Sequence, residues 1–225
     1  MRLVIIFYIA AFAAASASIS IRYLRESLYK YMKIQPLFII FILLIILSIK
    51  SGGSLFTYLI TAGLIFGMFG DFFLLDDSRY IIPGMISFVS AHLCYIAAFV
   101  LSPDFNFTIG IPGIVIITVS LIYIYTLNML IRKDSKSKLF IPAVAYCVVL
   151  TVLNLAAQSY DYSHGGLSIL SAGTFLFYIS DAFLSWDFMI NRYKSAALLT
   201  MSTYYSAQML IAYKAVQIIF AAPVL

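Results

Sequence analysis

The chain has 225 residues, of which 64% are hydrophobic and only 10% are charged, and its mean hydropathy is +1.04. Soluble domains are about half apolar and a quarter charged, and disordered chains are less apolar still, so both classes are excluded. The net charge of +5 does not indicate nucleic-acid binding, because the basic residues lie in short connections between apolar runs. The composition predicts one integral membrane domain, residues 1–225, with no soluble domain.

The apolar runs predict an all-α, polytopic membrane bundle of about eight transmembrane helices. In chain order, the predicted helices span residues 3–21, 35–49, 54–75, 81–101, 109–131, 138–158, 165–186 and 196–219. Prolines fall in the first turn of the second, fourth, fifth and sixth helices, where proline costs no hydrogen bond. Transmembrane strands are not expected, since the runs do not alternate apolar and polar residues.

The distribution of positive charge predicts how the chain is oriented. Eleven of the 14 Lys and Arg residues lie in the first, third, fifth and seventh connections, and basic connections stay in the cytosol. The first helix has Arg2 before it and Ala15-Ser16-Ala17 near its end, as a signal peptide would. Its exit into the cytosol is the reverse of a cleaved signal. Both termini are therefore expected outside the cytosol, in a bacterial inner membrane or a eukaryotic endomembrane.

The third and seventh helices resemble each other at an offset of 110 residues. Without a gap, Gly70–Leu74 aligns with Ser180–Leu184, and Thr61–Gly63 aligns with Ser171–Gly173. These two helices share an orientation, so the match predicts two parallel four-helix repeats, with halves 1–108 and 109–225. Chance similarity between two apolar helices is the alternative.

Few polar groups occur inside the predicted helices, where an ionisable side chain costs several kcal/mol unless it is paired or faces water. Asp71 and Asp181 each lie about 8 Å inside the cytosolic end of a helix, and His92 lies about 16 Å inside. The same half of the bilayer also contains Asn128, Tyr204, Tyr205 and Gln208. One cavity that opens to the cytosolic leaflet would satisfy these groups. Two aspartates in such a cavity indicate acid–base chemistry, since one can donate a proton while the other stays ionised.

Each polar group also has a structural interpretation. The two aspartates could be helix-end carboxylates that reach Arg79 or Arg192 at the interface. A buried histidine can bond a backbone carbonyl, tyrosines are common at interfaces, and a glutamine can join two helices. Three groups in the outer loops are expected to be solvated: Asp104, Asp161 and His164.

Other catalytic patterns are missing from the sequence. Only His92 lies in a helix, so a three-histidine zinc site is not available, and no metal or cofactor is expected. No Gly-x-Ser-x-Gly motif or phosphate loop occurs, which disfavours a serine hydrolase or an ATPase. The competing class is a proton-coupled carrier of small molecules or lipids. Carriers often have interrupted helices at the site, whereas here the prolines lie at helix starts and Gly63, Gly67 and Gly70 lie on a packing face. That pattern favours a rigid bundle and an enzyme.

Four short motifs together resemble the lysoplasmalogenases of the YhhN-like type. They are Gly70–Leu74 in the third helix, then Gly84, Phe88, His92 and Tyr95 in the fourth, Ser180-Asp181 in the seventh, and Tyr204, Tyr205 and Gln208 in the eighth. Their order and spacing, and the eight-helix length, agree over essentially the whole chain. Any one motif is weak, and the four together are fairly specific.

The resemblance implies cleavage of the vinyl ether bond of a lysoplasmalogen, which gives a fatty aldehyde and glycerophosphoethanolamine or glycerophosphocholine. Vinyl ethers hydrolyse by acid catalysis, so Asp71 and Asp181 are the predicted catalytic pair, and either can be the acid. His92 is predicted to orient an aspartate or the water. The predicted substrate-binding residues are Tyr95, Asn128, Ser180, Tyr204, Tyr205 and Gln208, and the predicted head-group-attracting residues are Lys30, Lys33, Arg132 and Lys133. The expected partners are the lysophospholipid and membrane lipids, with no nucleic acid and no protein partner.

Overall fold

The computed structural model describes residues 1–24, 26–75, 80–131 and 138–221, which form helices and no strand. In chain order, the helices are α1 (Arg2–Leu24), α2 (Glu26–Met32), α3 (Gln35–Ser51), α4 (Leu55–Phe73), α5 (Ile81–Val100), α6 (Ile111–Ile131), α7 (Phe140–Ser163), α8 (Ile169–Met189) and α9 (Ala196–Ala221). The all-α class predicted from the apolar runs is confirmed.

Eight of these helices correspond to the eight predicted ones, and their ends agree to within five residues. The additional helix, α2, has seven residues and lies in the first connection, which was predicted to be a loop. Within the described part of the chain, seven segments are long and apolar enough to cross a membrane, with α2 and α3 joined as Leu28–Ser51. The last helix, α9, is 26 residues long but less apolar, because it contains Tyr204, Tyr205, Gln208 and Lys214. The chain is a polytopic helical membrane protein.

Two helix pairs form the centre of the bundle. Packing is most extensive between α4 and α5 and between α8 and α9, and α9 also contacts α1, α3 and α4. The polar last helix therefore lies inside the bundle, away from lipid, which explains how it tolerates its polar side chains. In the described part of the chain, α6 packs mainly against α7 and lies at the edge.

Several helix contacts correspond between the two halves of the chain, whereas those of α9 with α1 and α4 have no counterpart of similar extent among the described residues. Contacts of α1 with α3, α3 with α4 and α4 with α5 match those of α6 with α7, α7 with α8 and α8 with α9. Across the halves, the contact of α3 with α9 matches that of α7 with α5. The duplication of 1–108 and 109–225 stays a prediction, and this correspondence supports it.

One end of the bundle carries most of the positive charge. At this end α1, α4, α6 and α8 finish and α3, α5, α7 and α9 begin, so it contains the connections with eleven of the 14 basic residues. We call it the basic end. Its orientation toward the cytosol stays a prediction from the positive-inside rule.

The outside of the bundle is apolar and the inside contains hydrogen-bonded polar groups. Large side chains such as Phe12 on α1 and Tyr125 on α6 are more than half exposed, as expected for a surface in contact with lipid. Inside, Asn154 Nδ2 donates to the carbonyl oxygens of Leu150 at 3.0 Å and Thr174 at 3.2 Å. This asparagine joins α7 to α8.

Asp161, which was predicted to be solvated, is instead buried at the end of α7 with 1% of its surface exposed. Its carboxylate accepts hydrogen bonds from the backbone N–H groups of Ser168 at 3.0 Å and Ser171 at 2.9 Å, and from both hydroxyls at 2.6 and 2.5 Å. These N–H groups lie at the start of α8, where donors lack helical partners and a negative charge is favourable. The prediction was wrong because Asp161, at the end of α7, caps the start of α8 on the other side of the loop.

We expect Asp161→Ala to lower the free energy of unfolding by about 2–3 kcal/mol, since it leaves buried donors without an acceptor. Asp161→Asn keeps one accepting oxygen and should lose less. Unfolding of the purified protein by titration with a denaturing detergent measures both. Unfolding midpoints equal to that of the unsubstituted protein would contradict the capping role.

Candidate active site

The two predicted catalytic aspartates lie toward the basic end of the bundle. Asp71 is in the last turn of α4, and Asp181 lies eight residues before the end of α8. They are 2% and 8% exposed, and they are close enough for their charges to interact. Carboxyl groups this buried require partners, and each aspartate has a different set.

Asp71 is ion-paired with Lys33. The Lys33 Nζ atom lies 3.3 Å from Asp71 Oδ1 and donates to the Asp71 carbonyl oxygen at 3.3 Å. Lys33 was predicted to attract the lipid head group, and the structure places it in the interior with 5% of its surface exposed, because the chain after α2 turns back into the bundle. Of the other head-group-attracting residues, Lys30 is exposed, and Arg132 and Lys133 lie outside the described residues.

Tyr205 holds the backbone of Lys33 in place. Its hydroxyl donates to the Lys33 carbonyl oxygen at 2.8 Å and lies 3.2 Å from the Ser18 hydroxyl. Helices α1 and α9 thus fix the residue that pairs with Asp71. Tyr205 was predicted to bind substrate, and its visible contacts give it a supporting position.

Asp181 contacts a phenol and an imidazole. The Tyr146 hydroxyl donates to Asp181 Oδ2 at 2.9 Å, and His92 Nε2 lies 3.9 Å from the same oxygen, beyond hydrogen-bond distance. The imidazole is fully buried and meets the rings of Tyr146 and Phe177 edge-on, at 5.5 and 4.7 Å between centroids. Within the described residues neither ring nitrogen has a hydrogen-bond partner, so both are available to a buried water.

A second polar group surrounds Asp71. Tyr95 donates to Gln208 Oε1 at 2.6 Å, and the Tyr204 hydroxyl lies beside both Asp71 and Gln208. In the part of the chain that the structure describes, the Tyr204 hydroxyl, Gln208 Nε2 and Asp71 Oδ2 nevertheless make no hydrogen bond of good geometry. These atoms lie together in the interior, where a buried water could satisfy them.

Glycines on α4 allow these side chains to approach the helix. A Cβ atom at Gly63 would lie 2.1 Å from the Tyr95 ring, and one at Gly67 would lie 3.1 Å from Gln208 Nε2. The packing face predicted for the glycines of this helix is confirmed. Their role is to admit the polar group around Asp71.

We expect Gly63→Ala to destabilise the protein by about 1–3 kcal/mol, because the added methyl group must displace the fully buried Tyr95 ring. Unfolding by detergent titration measures the loss. Gly113→Ala is a suitable comparison, since its new methyl group would meet the end of the Leu155 side chain at 3.0 Å. A Gly63→Ala protein as stable as the Gly113→Ala protein would contradict this packing.

A cavity of about 160 Å³ opens at the basic end, between the ends of α1 and α8 and the starts of α5, α7 and α9. Asp181, Tyr146 and Lys33 lie on its wall, whereas Asp71 and His92 lie behind the wall. Most of the remaining wall is apolar and includes Met85, Phe88, Ala143, Leu150 and Met201. The cavity therefore places one buried carboxyl group, that of Asp181, in contact with any apolar ligand that binds there.

Several predicted substrate-binding residues are not on this wall. The Ser180 hydroxyl donates to the Thr200 carbonyl oxygen at 3.0 Å and joins α8 to α9. Asn128 is half-buried on α6 and Tyr95 is bonded to Gln208, and neither lines the cavity. Their roles in binding stay predictions.

Several polar residues of the cavity wall were not among the predicted site residues: Arg22, Tyr29, Tyr123, Tyr146, Tyr178, Ser185, Asp187, Arg192 and Thr200. The two tyrosines of α7 and α8 lie in apolar runs, without a charge or motif to mark them. Arg22 was visible as a basic residue at a helix end, and nothing local distinguished it from its neighbours.

The side chains around the cavity are arranged so that a proton can be transferred to an apolar ligand. A carboxyl group lies on the cavity wall with a phenol bonded to one oxygen, and a second carboxylate behind it is paired with a lysine. Among the described residues, no group of three His, Cys, Asp or Glu side chains could hold a metal ion.

Comparison with known proteins identifies the family. The model of the YhhN family matches residues 29–215. Lysoplasmalogenase TMEM86B of Rattus norvegicus is 31% identical over 185 residues, which cover 82% of this chain and 72% of the relative. The proteins of the same name from Homo sapiens and Mus musculus are each 30% identical, over 74% and 80% of this chain and 66% and 71% of the relative. No solved structure matches the chain. The matched region contains both aspartates, Lys33, His92 and Tyr146, and the chain belongs to the YhhN family.

Proposed function

We propose that this protein is a lysoplasmalogenase, a membrane hydrolase that cleaves the vinyl ether bond of lysoplasmalogens. The products are a fatty aldehyde and glycerophosphoethanolamine or glycerophosphocholine. Relatives named lysoplasmalogenase, at about 30% identity over most of the chain, support the activity. The observation that carries the proposal is Asp181, a buried carboxyl on the wall of a largely apolar cavity.

Vinyl ether hydrolysis begins with proton transfer to carbon. An acid protonates the β-carbon of the double bond, and the ether oxygen shares the positive charge of the resulting oxocarbenium ion. Water adds to the α-carbon and returns a proton to the conjugate base of the acid. The hemiacetal then collapses to the aldehyde, and the glycerol oxygen leaves with a proton. One water is consumed and the acid is restored, by a logic related to that of glycoside hydrolysis.

In this proposal Asp181 is the acid. It lines the cavity, and so can reach a lipid that Asp71, behind the wall, cannot reach directly. Tyr146 and His92 both approach Oδ2, which leaves Oδ1 to carry the transferable proton. Asp181 is buried and has no ion-pair partner as close as the one Asp71 has in Lys33, and burial without a counter-charge favours the protonated form of a carboxyl group.

Asp71 supplies negative charge in the same proposal. The Lys33 ammonium, 3.3 Å away, favours the ionised form of this carboxylate. Because Asp71 is within electrostatic reach of Asp181, its charge can stabilise the oxocarbenium ion in a site with little water. His92, 3.9 Å from Asp181 Oδ2, is placed to orient the attacking water.

The depth of Asp181 suits a lysolipid in the bilayer. Eight residues separate it from the end of α8, which corresponds to about 12 Å at 1.5 Å per residue. A vinyl ether lies a short distance below its own phosphate group, so the reacting bond and the head group would occupy the cavity and its opening. With the basic end in the cytosol, the enzyme takes its substrate from the cytosolic leaflet.

The carrier alternative predicts helices interrupted at the site. Here α4 is continuous through Asp71 and α8 is continuous through Asp181. This continuity supports the enzyme.

The direct test is aldehyde release by the purified, detergent-solubilised protein. We expect release from a 1-alkenyl lysophospholipid and none from its saturated 1-alkyl analogue, which has no carbon that can accept the proton. Folded protein that releases no aldehyde from the alkenyl lipid would refute the proposal. Proton flux in proteoliposomes would then support the carrier instead.

A further inference from the structure

The opening of the cavity carries charged side chains that proton transfer does not need. Besides Lys33, which is ion-paired with Asp71, the wall includes Arg22 from the end of α1, and Arg192 and Asp187 from the end of α8 and the connection after it. Two guanidinium groups and one carboxylate thus face the same space as Asp181. A site that binds only an anion would not include a carboxylate, because a carboxylate repels phosphate.

Two of these groups are held in defined positions. The Arg22 guanidinium lies over the Tyr29 ring, 4.9 Å from its centroid, a cation–π contact that orients the side chain. Asp187 Oδ1 accepts a hydrogen bond from the Tyr193 backbone N–H at 3.1 Å, which ties the carboxylate to the turn that follows α8. Asp187 is half-buried rather than a freely solvated surface group.

The spacing of Asp181 and Asp187 along α8 matches the distance from the vinyl ether to the ammonium group in a zwitterionic lysolipid. Asp187 lies six residues after Asp181 on α8, or about 9 Å along the helix axis. In an ethanolamine lysoplasmalogen, nine bonds join the vinyl ether oxygen to the nitrogen, an extended span of about 10 Å at about 1.1–1.2 Å of advance per bond. The phosphorus atom lies near the middle of that span. A lipid with its vinyl ether at Asp181 therefore brings its ammonium to the level of Asp187.

We propose that Asp187 binds the ammonium group of a zwitterionic lysophospholipid while Arg22 and Arg192 bind its phosphate. The site thereby selects ethanolamine and choline lipids over lipids whose phosphate is bare. This inference rests on the proposed function, since it takes the substrate to be a lysoplasmalogen. Guanidinium groups bind phosphate oxygens through paired hydrogen bonds, and the carboxylate adds the opposite charge where the head group requires it.

Binding of saturated 1-alkyl lysolipids tests the inference without catalysis. The ligands are 1-alkyl-glycerophosphoethanolamine and 1-alkyl-glycerol-3-phosphate, titrated against the full-length protein in detergent. We expect Asp187→Asn to weaken binding of 1-alkyl-glycerophosphoethanolamine about tenfold. Binding of 1-alkyl-glycerol-3-phosphate should be unchanged or tighter. The amide keeps the oxygen that Tyr193 bonds, so the turn should survive. Arg22→Gln should weaken the binding of both ligands.

Two further variants complete the design. Asp187→Glu keeps the charge and should retain the preference for the ethanolamine ligand. Asp104→Asn changes an exposed carboxylate at the opposite end of the bundle and should alter neither affinity. Equal effects of Asp187→Asn on the two ligands, or no preference in the unsubstituted protein, would overturn the inference. Failure to release aldehyde, with the binding pattern intact, would instead overturn the proposed reaction alone.

Discussion

Asp181→Asn should reduce the rate of aldehyde release by a factor of 10³ or more. An amide cannot donate a proton to carbon, and general acid catalysis of this kind contributes about 10²–10⁴-fold. Asn is close to Asp in shape and can still accept the Tyr146 hydrogen bond, so the fold should persist. The measurement is single-turnover aldehyde release from an alkenyl lysophospholipid, with a thermal unfolding curve for each variant.

Two matched variants show whether the loss is specific to the acid. Tyr146→Phe removes only the hydrogen bond to Asp181 and should cost about tenfold, through the orientation of the carboxyl group. Ser102→Ala removes a hydroxyl at the opposite end of the bundle, where it bonds the Ala98 carbonyl oxygen, and should keep most of the rate. If Asp181→Asn retains more than a tenth of the rate, Asp181 is not the acid.

The two aspartates were predictable from the sequence because their signal is local. A carboxyl group in an apolar helix is costly, so each had to be paired or functional wherever it lay in the fold. Helix positions were predictable for a similar reason, since the thickness of the membrane fixes the length of each apolar run. These constraints act on a segment by itself.

The partners of the aspartates were not predictable, because they come from distant segments. Lys33 lies in a connection, where a lysine is ordinarily solvated, and only the turn after α2 brings it to Asp71. Tyr146 reaches Asp181 from another helix. Asp161 was misplaced for the same reason, since its cap acts on a helix that begins after the loop. In each case the missing information was which helices are neighbours.

Lys33→Met should lower the free energy of unfolding by about 3–5 kcal/mol, because it removes one partner of a buried ion pair and leaves the Asp71 carboxylate uncompensated. Asp71→Asn should also destabilise, since the Lys33 ammonium would then be buried without a counter-charge. Both energies are measurable by detergent titration of the purified variants. Lys33→Arg keeps the charge and should lose less.

The double variant decides whether the two charges act as a pair. When both partners of a buried pair are replaced by neutral groups, neither is left uncompensated, so the protein with Lys33→Met and Asp71→Asn should recover much of the stability that either single change loses. It should nevertheless release aldehyde slowly, because the negative charge behind Asp181 is gone. A double variant whose loss of stability equals the sum of the single losses would show that the two residues are independent. A double variant with full activity would show that Asp71 serves the fold and that Asp181 performs the chemistry without it.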